Sequence, residues 1–493
     1  MALRLFNTLS GKIEEFRPLK DNEVRMYACG PTVYDYGHIG NFRTFIAVDI
    51  LRRYLRQSGY KLHHVMNITD VDDKIIRNSA QAGIPVQQYT AKYEKAFLED
   101  AAALNIEPPE LVRATEHIEE MARFIAKLVE KGFAYKTEDG SYYFRIAKFP
   151  PYGKLSKKDF AGMEDGARVD LDEYEKDNAR DFALWKAPKP GEASWQSSIG
   201  PGRPGWHIEC SVMSMLELGE SFDLHAGGED LIFPHHENEI AQSESATGKP
   251  FAHFWFHARF LLVEGEKMSK SLGNFHTLRD LVLKGHKPSS IRYLLASPYR
   301  NQLNFTDDGL QGAAASVERL RNFQMRLSTA NFSDGSTPEM TKLAAKTSEG
   351  IRAALDDDLN TAQAQAAIFD MVRSANAAID SGSMRKGDVP ALLATLRQFD
   401  DMFAVLRDDD SAKMQRIGDW AKSEGRESQI TPELQNVLRS VALPDEQIEQ
   451  KIQQMNAARA SRDFKTSDAI RAELTAQGIL IEQTKDGVRW RRK

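Results

Sequence analysis

Over the first hundred or so residues, strand-like apolar runs alternate with helical patterns, and this alternation leaves the chain few folds to choose from. Val24–Ala28 reads as a strand, an amphipathic helix starts near Asn41, Lys61–Ile68 reads as a second strand, and another helix follows Asp70. Strands joined by helices pair in parallel, because the crossover returns each strand to the same end of the sheet. Such a sheet takes ligands at the carboxyl ends of its strands. The rhythm resumes at Trp206 with helix Ile208–Leu218, strand Phe222–His225, helix Pro234–Ser245 and strand Phe254–Val263. Between the two stretches, Phe133–Lys136 and Tyr142–Ile146 flank Asp139-Gly140, a hairpin pattern. From there to about Pro204, Pro, Gly, Lys and Asp dominate.

The expected division is therefore a nucleotide-binding first half over 1–125, an insertion over 126–204 and a second half over 205–306. Segments Leu310–Leu327, Thr341–Leu355, Thr361–Ala378 and Val389–Leu406 carry apolar residues at three- and four-residue spacing and predict a helical bundle over 307–406. A polar link, Arg407–Glu427, opens the last part, 407–493. Two short helical patterns to Gln477 and strand-like Ile479–Gln483 and Val488–Trp490 then make a small terminal module.

A length of 493 residues is enough for roughly three or four domains. No apolar stretch approaches the roughly 18 residues of a membrane span, and the N-terminus lacks a leader's apolar core, so a cytoplasmic protein without membrane contact is expected. A net charge of −6 does not advertise a nucleic-acid binder. Bulk charge decides little, because a local basic surface can sit on an acidic protein. Arg489-Trp490-Arg491-Arg492-Lys493 serves equally as such a surface or as a solvated tail.

Two short motifs carry the chemistry. His38-Ile39-Gly40-Asn41 follows the first strand and opens a helix, where unpaired N–H groups and the dipole favour an anion and Gly40 lets a base approach. Lys267-Met268-Ser269-Lys270-Ser271 puts ammonium and hydroxyl groups on one loop, suited to a polyphosphate. Together they resemble the two signatures of class I aminoacyl-tRNA synthetases, which implies an ATP-dependent adenylating enzyme. After the strand at Phe222, Gly228 permits close backbone approach and Asp230 can accept from ribose hydroxyls; alone, this segment is an ordinary turn.

Only two cysteines occur, Cys29 and Cys210. As residue types they are either buried small hydrophobes or, with His235 and Glu239 four residues apart on one helix face, a tetrahedral set suited to zinc. Their place beside both motifs favours the metal. His207, His225, His235 and His236 put four of the twelve histidines nearby.

Five segments make the resemblance specific: Met26–Asp35, Asn67–Lys74, Gly202–Ser211, Phe233–Ser243 and Lys267–Asn274 resemble the cysteinyl-tRNA synthetases, and the likeness extends over nearly the whole chain. It implies an α/β fold of the class I synthetase Rossmann type with an insertion, then an α-helical bundle and a C-terminal anticodon-binding module. It implies one zinc per chain on Cys29, Cys210, His235 and Glu239, binding the substrate thiolate, with Cys29, Thr69, Trp206 and His235 around L-cysteine. His38, Gly40, Asn41, Gly228, Asp230, Lys267, Ser269 and Lys270 fall at the ATP site, with Mg²⁺ accompanying ATP, and His38, Lys267 and Lys270 in catalytic roles. The family's first signature ends in His where this chain has Asn41, and Glu229 stands beside Asp230 without an evident role. Cysteine would be adenylated and passed to the 3′ end of tRNA(Cys) by a monomer. The competing readings are a cysteine ligase of mycothiol biosynthesis, acting through the same adenylate, and a non-catalytic zinc and RNA-binding protein. On this division, a cut after Arg407 is expected to spare adenylation.

Overall fold

The computed structural model describes residues 2–158, 181–269, 272–441, 444–484 and 487–492. Its central sheet has five strands: Glu23–Ala28 (β1), Lys61–Ile68 (β2), Glu110–Arg113 (β3), Phe222–Gly228 (β4) and Ala252–Ala258 (β5). All pairings are parallel, in the order β5-β4-β1-β2-β3. Strand β1 alternates: Val24, Met26 and Ala28 enter one apolar core, Tyr27 and Cys29 the other. From β1 the chain turns into helix Ile39–Gln57 (α1), whose Phe42, Ile46, Leu51 and Leu55 fill the first core with Phe97 of helix Val86–Ala103 (α2). The second core takes Ile208, Val212 and Met213 of Trp206–Leu218 (α3) and Ile240 and Ala241 of Glu237–Thr247 (α4). The helices after β1 and β4 thus leave for opposite faces of the sheet, and a crevice opens between the two strand ends.

The insertion is a four-stranded antiparallel sheet of Ala134–Lys136, Tyr142–Phe144, Phe182–Lys186 and Arg203–Pro204. Its hairpin turns at Gly140 (φ 96°), where Asp139 Oδ1 accepts from Ser141 N at 2.9 Å. Helix Ile118–Glu130 runs across position 125, so the first half and the insertion share an element.

The four helices of the bundle are Asp307–Thr329, Pro338–Asp356, Thr361–Asp380 and Val389–Phe403. Leu310, Val317, Leu320 and Phe323 lie in the same apolar core as α1, so the bundle is continuous with the sheet's first layer.

Four features depart from the sequence reading. The strand expected over Phe254–Val263 is two: β5 ends at Ala258, and Leu261–Val263 joins a separate sheet with Glu266–Lys267 and Leu303–Phe305. Arg259 N instead donates to Tyr299 O at 2.8 Å and Phe260 N to Glu229 Oε1 at 3.1 Å, so neither continues the ladder. The helix expected from Pro234 starts at Glu237, because Phe233 is extended (φ −142°, ψ 131°) and breaks the turn before it. The polar link Arg407–Glu427 contains a helix; after the short helix Leu278–Leu283 (α5), which trails the lysine loop, Asp410–Ser423 (α6) buries Met414, Ile417 and Ala421. Beyond it stand three helices rather than two, Pro432–Val441, Asp445–Ala460 and Phe464–Ala476, and then a hairpin, Ile479–Thr484 with Gly487–Arg492. An N-terminal hairpin, Arg4–Asn7 with Lys12–Glu15, is a further addition. No helix of the described residues is long and apolar enough to cross a membrane.

Candidate active site and metal centre

A cavity of about 760 Å³ fills the crevice, with Cys29, His38, Trp206, Asp230 and Lys267 among its walls. His38 is the N-cap of α1. Its Nδ1 accepts from Asn41 N at 3.2 Å, and Asn41 Oδ1 accepts from His38 N at 3.1 Å, a reciprocal cap that satisfies two orphan donors. Asn41 thus fixes the His38 ring, and it also lines the cavity with Gly40 and Gly228. A Cβ on Gly40 would lie 3.0 Å from His38 Nδ1 and 3.4 Å from Met268 Cε, so the helix start and the lysine loop touch only because this residue has no side chain.

The lysine loop is held from below. Asn274 Oδ1 accepts from Ser269 N at 2.8 Å, and Asn274 Nδ2 donates to Lys267 O at 3.3 Å. Ile39 N donates to His276 O at 3.0 Å, tying the loop's trailing end to the start of α1. Lys267 is exposed and faces the cavity; Ser269 is not among its walls, and Lys270 lies outside the described residues. Glu229 has a structural account: it binds Phe260 N and stands 3.6 Å from Arg259 Nε, joining the ends of β4 and β5.

Cys29, Cys210, His235 and Glu239 converge behind the cavity floor. One ligand atom from each lies within 4.8 Å of the others, and all four residues are buried. The two Sγ atoms are 3.8 Å apart. Tetrahedral zinc with Zn–S of about 2.3 Å sets two sulfurs about 3.8 Å apart, so the pair fits the metal without rearrangement. His235 Nε2 meets Glu239 Oε1 at 3.0 Å, while its Nδ1 is 2.9 Å from His207 Nδ1. His225 Nε2 holds the other carboxylate oxygen of Glu239 at 2.7 Å. These outer contacts orient the donors. A second grouping, Cys29, His225, His236 and Glu239, is also compact, but it has one sulfur and takes His225 from Glu239.

The charges agree with that donor set. Burial, then the bond to Cys210, holds the Cys29 thiol well above its ordinary range. For Cys210, burial is outweighed by the hydrogen bond from Cys29 and by His235, bringing it down to about 6. The two sulfurs therefore share a proton that a metal would displace. Against its burial, Glu239 and then Cys210 raise His235 to about 10; His225 and His235 draw Glu239, also against burial, down to about 2.

Of the four, Cys29 lines the cavity and the other three do not. Trp206 is 40% exposed at the cavity mouth, its ring centroid 4.2 Å from that of His235. Thr69 does not reach the wall. It is buried, donating to Glu209 Oε2 at 2.8 Å and accepting from Asn67 Nδ2 at 3.0 Å, while Asn67 Oδ1 holds Gly30 N at 2.8 Å. Glu209, buried and beside Cys210, is pushed well above the carboxylate range.

Two participants, His257 and Thr8, escaped the sequence reading. Cys29 Sγ lies 3.2 Å from His236 Nε2, His236 Nδ1 2.7 Å from His257 Nε2, and His257 Nδ1 2.7 Å from Thr8 Oγ1. The signal for His257 was its two-residue spacing from buried Trp255 on β5.

Residues 15–315 match the family model of the class I (C) tRNA synthetase catalytic domain, and residues 350–407 match the DALR domain. The cysteine–tRNA ligase of Koribacter versatilis is 69% identical over 100% of both chains. The chain belongs to the cysteine–tRNA ligase family. It is accordingly an enzyme, a class I aminoacyl-tRNA synthetase. The cysteine–tRNA ligases of Solibacter usitatus and Geobacter metallireducens are 55% and 44% identical, each with 100% of both chains covered. This full-length agreement decides against the cysteine ligase of mycothiol biosynthesis and the non-catalytic binder. The fold of this cysteine–tRNA ligase also resembles that of Mycobacterium tuberculosis methionyl-tRNA synthetase in complex with methionyl-adenylate (TM-score 0.55, 16% identity, 86% of this chain and 95% of that one). A putative arginyl-tRNA synthetase from Campylobacter jejuni gives a TM-score of 0.52 at 15% identity, over 78% and 93% of the two chains.

Proposed function

We propose that this ligase selects cysteine by its thiolate at a zinc site of Cys29, Cys210, His235 and Glu239, activates it as cysteinyl-adenylate and transfers it to tRNA(Cys). The observation that carries this reading is the position of Cys29: its sulfur belongs to a pair 3.8 Å apart, and the residue is also part of the wall of the cavity that His38 and Lys267 line. Zinc held there would prefer a thiolate to the hydroxyl of serine, a discrimination that shape alone supplies poorly.

In the first step a carboxylate oxygen of cysteine attacks the α-phosphorus of ATP, and the bond to pyrophosphate breaks. Chemistry of this kind is catalysed by position and charge. His38, fixed by Asn41, faces the α-phosphate; Lys267 and, by its place in the motif, Lys270 meet the polyphosphate with Mg²⁺, and Ser269 shapes their loop. Gly40 and Gly228 leave room for the nucleotide, and Asp230 accepts from the ribose. Trp206 covers cysteine over the His235 ring. Thr69 supports the floor through Glu209 and Asn67 rather than touching cysteine. In the second step a terminal ribose hydroxyl of the tRNA attacks the acyl carbon and AMP leaves.

We read the chain as a cytoplasmic monomer. Its catalytic halves are 1–125 and 205–306, the insertion is 126–204, the bundle is 307–406, and an anticodon module lies at the far end of 407–493. The test is to supply the purified zinc protein with ATP, Mg²⁺ and labelled cysteine or serine, following pyrophosphate exchange and charging of tRNA(Cys). Cysteine-dependent exchange and charging, with serine at least about 10⁴-fold poorer, is expected. Equal use of serine would refute selection by the metal.

A further inference from the structure

Tyr36 stands between two cavities. It lines the 760 Å³ crevice and also a second space, of about 830 Å³, bounded by α2 and α6. It lies two residues before His38, in the connection from β1 to α1, where no strand or helix fixes the backbone. What fixes the ring comes from elsewhere in the chain. Tyr93 of α2 meets it edge-on at 5.3 Å and Trp420 of α6 at 5.2 Å, and Trp420 Nε1 donates to Tyr36 Oη at 3.2 Å.

The same indole reaches the other side of the crevice. The guanidinium of Arg279 lies 4.5 Å from the centroid of a Trp420 ring and 5.1 Å from that of Tyr36. Arg279 is the second residue of α5, whose N-cap Thr277 bridges to His38 directly behind the lysine loop. It is 2% exposed, donating to Asp100 Oδ1 at 2.8 Å and to Glu99 Oε2 at 2.9 Å. On α6's side, Arg426 lies 4.9 Å from the Trp420 ring and donates to Asp280 Oδ1 at 2.9 Å. One side chain, about 380 residues from His38 in sequence, thus touches both the segment that leads into His38 and the helix that follows the lysine loop.

We infer that Trp420 is a positioning residue for adenylate formation: it seats Tyr36 and Arg279, and through them His38 and the loop of Lys267. Trp420 does not face the reacting atoms. It sets how accurately two segments meet the polyphosphate, and small misplacements at such groups cost rate rather than binding. The floor at Cys29 is outside this joint, so cysteine affinity should not follow. The inference rests on the adenylation reading above.

The experiment uses the full-length zinc protein and cysteine-dependent ATP–pyrophosphate exchange, with folding followed by thermal melting. Trp420→Ala is expected to lower kcat about tenfold or more while the KM for cysteine stays within about twofold. A merely structural residue would lower the melting temperature and leave the kinetics of the folded protein unchanged, and that result overturns the inference. Trp420→Phe and Tyr36→Phe each remove the same hydrogen bond. Each should cost about threefold in kcat, and the double variant no more than either one. Singles without loss, or losses that multiply in the double, overturn the inference even if Trp420→Ala fails to fold. A wild-type protein silent in exchange would sink the adenylation reading itself; an active wild type with indifferent variants sinks only the role of Trp420.

Discussion

Cys29 and Cys210 are held in opposite protonation states by the same pocket: burial keeps the thiol on Cys29, while the bond from Cys29 and His235 favour thiolate on Cys210. Cys210 is therefore the sulfur readiest for a metal. Cys210→Ser should reduce bound zinc from one per chain to a small fraction, with affinity at least about tenfold weaker. Metal analysis after purification checks this, and zinc retained in the variant removes Cys210 from the donor set. A second residue-scale consequence lies away from the site. His64 on β2 is buried, and neither ring nitrogen has a hydrogen-bond partner. Burial first, then Arg52 and Arg56, holds its pKa down at about 3. Above pH 6.5 neither the folded nor the unfolded chain protonates this ring. Between 6.5 and 3 the unfolded chain takes a proton that the folded chain refuses, so stability falls as pH falls through that window. His64→Leu should lose about 2 kcal/mol less stability than wild type between pH 7 and pH 5. Urea unfolding at the two pH values measures this; parallel losses would clear His64.

The ends of β1 and β2 approach so closely at Gly30 that a Cβ there would sit 1.8 Å from Asn67 O and 2.8 Å from Met66 Cγ. Gly30→Ala should then cost about 3 kcal/mol by forcing the two ends apart. It should also abolish exchange, because Cys29 rides on the displaced end. Near-normal melting together with normal exchange would mean the backbone yields there cheaply. Such constraints also decide how much of the fold the sequence alone carries. Strands β1, β2 and β4 and helix α1 were legible because their apolar residues keep one period over five or more positions. Helix α6 was not: its buried Met414, Ile417 and Ala421 stand among Asp, Lys and Arg residues that answer partners elsewhere, such as Asn105 for Lys413 at 2.6 Å. The break after β5 depends on Glu229 capturing Phe260 N, a contact between residues 31 apart that no local pattern encodes. In the site, residue type and resemblance singled out the four side chains that converge behind the cavity. The burial of Thr69 under Glu209 and the Thr8–His257–His236 chain were not legible, since each joins elements far apart in sequence.

Across the whole molecule, the polar stretch after Arg407 invites a cut that the packing does not permit. Residues 410–441 belong to the main body: Met414, Ile417, Ala421, Leu434 and Val437 lie in the core shared with α1 and the bundle. Asp410 accepts from Ser289 N at 2.9 Å and Ser289 Oγ at 2.6 Å, and pairs with Arg321 at 2.7 Å. A separate small core of Ile448, Ile452, Leu474 and Ile479 begins only beyond Val441. Two truncations separate these regions. Ending the chain at Arg407 removes α6 and with it Trp420, takes Lys413 from Asn105 and Asp410 from Ser289, and should lower both the melting temperature and exchange. Ending it at Val441 keeps the joint at Tyr36 and should leave exchange within about twofold of the full chain, while kcat/KM for tRNA falls at least about tenfold. The lost part includes the basic run from Arg489, so the difference between full and truncated proteins should narrow as salt rises and phosphate contacts weaken. Equal charging by the 1–441 protein would deny the terminal core any part in tRNA binding, and normal exchange by the 1–407 protein would show that α6 leaves the chemistry untouched.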